Sequence, residues 1–250
     1  MRQWPSVARR VRRATSVPEL RIPQVGFSDA EAQILAEAYR GTKNPVAYLD
    51  ESYQAPDPIT AHRSTFYLFT AVIVAHESMD ELRDGLRQIA DSNWWHTTDA
   101  LQEPRGLAAT KDMLDFLAEG GETCVVAHQV PVDSSDHDAE EARRACYRAL
   151  GTELAAGKPG GWDPVELFVL EKRNQSNFRN KDAKNHKELV REQAIPRHTR
   201  LLQTSPSIER LLWLPDLVSA AYRRTITHSD ASSELFEIVK QRVHFINVTP

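Results

Sequence analysis

Residues 65–74, TFYLFTAVIV, carry aromatic, aliphatic or β-branched side chains at almost every position. Such residues fit a pleated surface, and an apolar run this short is a strand rather than a helix. A half-exposed strand would alternate apolar and polar side chains. This one is apolar on both faces, so it belongs inside a sheet that is covered on each side. The rest of the chain supplies the covering layers. Further strands are predicted at 46–52 (VAYLDES), 123–132, 165–173 and 199–207, the last ending in a turn. Helices are predicted at 28–41, 77–92, 105–121, 138–154 and 180–195, and over 211–224 with a start near Pro215. Ser28 is placed to cap the first helix, with Glu31 at the capping-box position and Gly41 as its stop. Residues 93–101, NWWHTTDAL, read as a loop, and GKPGG at 157–161 as a break. Strands and helices that alternate in this way predict an α/β layered domain.

The chain has 250 residues, enough for one large core without staples. Its formal net charge is −4, so any nucleic-acid surface must concentrate positive charge locally. The two cysteines, Cys124 and Cys146, lack metal-ligand spacing and read as reduced residues. The N-terminal stretch is basic without an apolar core, so no secretory leader is expected. No apolar run approaches the length of a membrane span. A cytoplasmic protein is the expectation. Residues 1–40 divide off as an arm rich in arginine followed by a helix, and 41–250 form the predicted domain. The arm holds Arg2, Arg9, Arg10, Arg12, Arg13 and Arg21 against Glu19 alone, and is either a solvated tail or a phosphate-binding segment.

Three carboxylates stand where apolar surroundings make them costly. Asp50 ends the strand VAYLD on the same face as Val46 and Tyr48, since side chains alternate with period two. Glu171 ends VELFVLE beside Val165, Leu167 and Val169. Asp216 sits in the first turn of an apolar helix. A carboxylate on an apolar surface is expensive unless paired or bound to a cation. Each has an ordinary reading as well: a turn-forming acid, a partner for Lys172 or Arg173, an acid favoured by the helix dipole. Together they match ribonuclease-H-type chemistry, in which acids on the first strand, a later parallel strand and the final helix hold two divalent ions about 4 Å apart. Hard oxygen donors of this kind suit Mg2+ or Mn2+.

The motifs YLDES (48–52), WHTTDAL (95–101), an acid on a middle strand, and ERLLWLPDLVSAAYRR (209–224) resemble a bacterial family known as domain of unknown function 3800. The resemblance covers residues 45–225 and implies a ribonuclease-H-like mixed sheet flanked by helices. Asp50, Glu51 and Ser52 match the family's Asp-Glu-Ser, His96 and Asp99 its His-containing motif, and Asp216 with Leu217 its final-helix motif. The chain departs from the pattern at Glu171, where Asp is usual, at Pro215, where Ala is usual, and at Trp213, where Gln is common.

The resulting expectation is a metal-dependent nuclease or phosphoryl-transfer enzyme. Asp50, Glu171 and Asp216 are its metal ligands and catalytic carboxylates. Glu51 and His96 are further candidates for metal binding or proton transfer; a histidine titrates near neutral pH. Trp94 and Trp95 either stack on bases or close a helix end. Residues 172–200 hold nine lysines and arginines against three acids. Of these, Lys172, Arg173, Lys181, Lys184 and Lys187 are the candidate contacts to DNA or RNA backbone. The alternative is a non-catalytic ribonuclease-H-like binding or accessory module acting beside a protein partner.

Overall fold

The computed structural model describes residues 29–57 and 64–249. The arginine-rich arm and the Ser28 cap lie outside the described residues. The sheet has six strands: β1 (Val46–Gln54), β2 (Phe66–Val74), β3 (Thr123–Gln129), β4 (Leu167–Glu171), β5 (Arg200–Thr204) and β6 (Val243–Asn247). Their order is β5-β4-β1-β2-β3-β6. β2 pairs antiparallel with both β1 and β3, while β4 runs parallel to β1, β5 to β4 and β6 to β3. All nine residues of β2 are buried, as its two-sided apolar pattern requires. Three antiparallel strands, two more parallel with the first and one parallel with the third, with helices on both faces, form the α/β mixed sheet flanked by helices that the sequence predicts.

The helices are α1 (Asp29–Arg40), α2 (Met79–Ala90), α3 (Thr97–Ala100), α4 (Pro104–Glu119), α5 (Glu140–Ala156), α6 (Ser176–Arg191) and α7 (Trp213–Thr227). One face of the sheet presents Val46, Tyr48, Val72, Leu167 and Val169 to a layer built from α1, α2, α4 and α7. The other presents Ala47, Leu49, Phe69 and Phe168 to α5 and α6. α1 adds Leu35, Ala38 and Tyr39 to the first layer, so this helix shares the core of the residues that follow it. Cys124 and Cys146 are free and buried, and burial pushes both thiols up to about 12. Among the described residues no helix is long and apolar enough to cross a membrane.

The structure corrects the sequence reading in several places. β6 was not expected: VHFIN is short and polar in part, and its ladder forms with β3, more than a hundred residues away in sequence. Residues 97–100 are a helical turn rather than loop, too short to show a periodicity and held by a tertiary bond described below. α6 begins at Ser176, earlier than expected, and α7 at Trp213. Pro215 is therefore the third helical residue, still within the first turn, where a backbone N–H has no intrahelical partner to lose. The Glu31 carboxylate takes Lys172 Nζ at 2.9 and 3.0 Å, while the capping box expected of it with Ser28 lies outside the described residues. Val165 lies before β4 and packs in the opposite core from Leu167 and Val169. The break at 157–161 is as expected, with Gly157 and Gly160 at φ 71° and 75°.

Candidate functional site

The positions of the three acids follow from register. β1 and β4 are parallel, with Leu49 opposite Leu170. One residue further, Asp50 and Glu171 stand side by side. Alternation turns both toward the face on which Tyr48 and Val169 are buried, the face covered by α7. The first turn of α7 brings Asp216 to the same place. Thr97 then fixes that carboxylate: its backbone N–H and its hydroxyl both donate to Asp216 Oδ2, at 2.9 and 2.8 Å. Trp95 Nε1 in turn donates to Thr97 Oγ1 at 3.0 Å. Both bonds fall on one oxygen, which leaves Oδ1 outside the pair.

The charges of the three acids bear on one another's neighbourhood. Burial, then the charges of Asp216 and Glu171, hold the Asp50 carboxyl well above its ordinary range, and Arg143 pulls the other way. Burial and the Asp216 charge push Glu171 up to about 7, against the pull of His96. Burial also raises Asp216, although its two bonds from Thr97 and the nearby His96 favour the charged form. His96 is exposed and pairs with Asp99 at 2.8 Å. Partial burial lowers its pKa, but the Asp99 bond and the charges of Asp216, Asp99 and Glu171 outweigh this and raise it. Among the described residues no three His, Cys, Asp or Glu side chains stand close enough together to hold a metal ion as placed.

Glu51 does not join this group. As the next residue along β1 it turns to the opposite face, where it binds the Arg143 guanidinium and accepts from the Tyr67 hydroxyl. Arg143 is buried on α5, and its Nε and Nη2 grip Asp182 at 2.7 and 2.9 Å. Sequence reasoning missed Arg143, Thr97 and Tyr67. Thr97 lies inside the WHTTDAL motif and was within reach; Arg143 is one arginine of an ordinary helical pattern.

The basic segment is only partly a cationic surface. Lys172 pairs with Glu31, while Arg173 and Lys181 share Glu140. Lys172 and Arg173 border a pocket with Asp50 and Glu171. Lys181 and Lys184 line a different groove, between α5 and α6, with Arg144 and Glu188. Lys184 and Lys187 are exposed. The tryptophans divide: Trp95 belongs to the core and Trp94 is exposed.

No family model matches the chain, and no curated protein does. Among solved structures, two crystal structures of Bst-RNase HIII resemble it. One is of a single-residue mutant, at 10% identity and a TM-score of 0.42. The other is in complex with Mn2+, at 13% identity and a TM-score of 0.41. Each similarity covers 82% of this chain, which spans 65% of the length of those proteins.

Proposed function

We propose that the protein is a metal-dependent nuclease, with Asp50, Glu171 and Asp216 as the ligands of Mg2+ or Mn2+. The observation that carries this reading is the convergence of three carboxylates from β1, β4 and α7, each raised by burial, with Asp50 raised further by the charges of Asp216 and Glu171, and Glu171 by that of Asp216. Such a group is unfavourable by itself, and its hard oxygen donors fit a dication, whose charge would offset the repulsion. A bound dication lowers the pKa of a coordinated water and stabilises charge on a phosphoryl oxygen.

The chain's own contribution is placement. Thr97 holds Asp216 in its charged form by two hydrogen bonds. His96, oriented by Asp99, sits near enough to Asp216 and Glu171 to be raised by both, and can give or take a proton at the edge of the site. Lys172 and Arg173 supply backbone contacts beside the carboxylates. The likeness of YLDES and the 209–224 segment to the domain of unknown function 3800 family belongs to this reading.

The test is cleavage of single-stranded and duplex DNA and RNA by purified protein with Mg2+ or Mn2+. Cleavage by the wild type that disappears in Asp50→Asn and Asp216→Asn, with both variants folded, supports the assignment. Cleavage that persists in either variant refutes it. Nucleic-acid binding without cleavage in any metal would favour the non-catalytic module instead.

A further inference from the structure

β1 runs past the end of β4. β4 stops at Glu171, opposite Asp50, while β1 continues to Gln54. Asp50, Glu51 and Tyr53 therefore form one wall of a pocket whose other wall is the segment that leaves β4 for α6. The pocket has a volume of about 340 Å3, and its lining includes Asp50, Glu171, Tyr53, Asn174, Gln175 and Phe178. It opens at the carboxyl ends of parallel strands, the usual place for a ligand in an α/β sheet.

Tyr53 is the unusual member. It is 46% exposed, one of few large hydrophobic residues so placed among those described. One face of its ring stacks on Tyr67, with centroids 5.4 Å apart and planes 15° from parallel. Tyr67 is itself buried, and its hydroxyl takes a bond from Arg143 Nη1 at 2.7 Å. Tyr53 is thus the outer ring of a stack whose inner ring is fixed. Phe178 cannot play the same part, because the Arg173 guanidinium and Lys181 Nζ lie 4.0 and 5.0 Å from its ring centroid. Asn174 and Gln175 are exposed and carry both donors and acceptors.

We propose that Tyr53, Asn174 and Gln175 form a subsite for one unpaired nucleotide of a single-stranded nucleic acid, next to the carboxylates of Asp50 and Glu171. The inference rests on the nuclease reading and narrows its substrate class. A base can add a third ring to the Tyr53–Tyr67 stack only when it is out of a duplex. Tyr53 lies three residues beyond Asp50, about 10 Å along the strand and on the Glu51 face, but both line this pocket at the open edge of β1, so a base can reach Tyr53 around that edge while an adjoining phosphodiester lies at the carboxylates. The amides then meet the base edge. The distribution of charge agrees. Lys172, Arg173 and Lys181 already have acidic partners, so stacking carries a larger share of the affinity than it would on an open cationic face.

The experiment is fluorescence anisotropy with a labelled thymidine oligonucleotide, its duplex of equal length, and the same single strand bearing one abasic position. Wild type, Tyr53→Ala, Tyr53→Leu and Tyr53→Phe are compared without metal. The inference expects preference for the single strand. It expects loss of about 5- to 100-fold in Tyr53→Ala and Tyr53→Leu, near-retention in Tyr53→Phe, and a smaller effect of Tyr53→Ala on the abasic strand. Tyr53→Leu keeps apolar cover over Tyr67, so weak binding by that variant is not a folding defect. Equal binding of single strand and duplex, or unchanged affinity in Tyr53→Leu, overturns the subsite. Because no metal is present, that failure leaves stabilisation by Mn2+ intact; loss of Mn2+ stabilisation would instead defeat the nuclease reading itself.

Discussion

Replacing Glu171 with Gln should stabilise the metal-free protein, by an amount that grows as pH rises from 4.5 to 7 and is constant above. Burial and the charge of Asp216 raise the Glu171 carboxyl from an ordinary 4.5 to about 7. At 1.36 kcal/mol per pH unit, that difference corresponds to about 3 kcal/mol. The sign follows from linkage. Below pH 4.5 the carboxyl is protonated in both the folded and unfolded chain, and the site adds no penalty. Between pH 4.5 and 7 the unfolded chain ionises while the folded protein holds its proton, so stability of the wild type falls by that amount; above 7 both states are ionised and it falls no further. Gln carries no charge at any pH. The two proteins should therefore melt together below about pH 4.5, separate between pH 4.5 and 7, and keep a constant gap above pH 7, with Glu171→Gln melting about 6–12 °C higher for a chain of this size. Urea denaturation followed by circular dichroism across pH 4.5–8.5, in the presence of a chelator, reads the difference directly. A gap that does not change with pH, or a Gln variant less stable at pH 8, would show that Glu171 is not held among repelling carboxylates.

Three further outcomes follow from named contacts. Glu209 is buried and binds Arg83 through both oxygens at 3.0 and 2.7 Å, and it also takes the Tyr39 hydroxyl and the Leu211 N–H; Glu209→Ala should cost about 3–5 kcal/mol by stranding the buried guanidinium, read by chemical denaturation. Thr97→Val keeps the shape but removes one bond to Asp216 and the acceptor of Trp95; it should cost about 1–3 kcal/mol and shift the Mn2+ midpoint to higher concentration, and an unchanged midpoint would deny Thr97 its positioning role. Neutralising Lys181, Lys184 and Lys187 together should weaken nucleic-acid binding and flatten its dependence on salt; an affinity already flat from low to physiological salt would remove residues 172–200 from the interface.

What the sequence disclosed, and what it hid, divides along physical lines. β2 was legible because nine consecutive positions obey one rule, burial on both faces. Asp50 and Glu171 were legible because a charge at the end of an apolar strand breaks a pattern, and Asp216 because it breaks another in α7. Their meeting could be expected but not read, since it depends on the parallel register of β1 against β4. Glu51 shows the opposite limit: adjacent to Asp50 in sequence, it is sent to the other face by the period of two. The charge of residues 172–200 was overread because Glu31 and Glu140, which neutralise part of it, lie on helices far away in the chain. Arg143 acts through bonds that close between elements, and nothing local marks it; Thr97 lies within the WHTTDAL motif, but its part appears only in its bonds to Asp216. β6 lacks a strong pattern because, among the described residues, it lies at the sheet's edge, half covered, and pairs with β3 alone.

The claim that Asp50, Glu171 and Asp216 form a dication site is tested most directly by thermal melting with Mn2+ added to chelator-treated protein. A ligand at one hundred times its dissociation constant stabilises by about 2.7 kcal/mol, or about 5–11 °C for a chain of this size. The account predicts such a rise for the wild type, saturable with Mn2+, and none for Asp50→Asn, which should melt at or above the wild type in chelator. Equal responses of the two proteins to Mn2+, whether both rise or neither does, would contradict it.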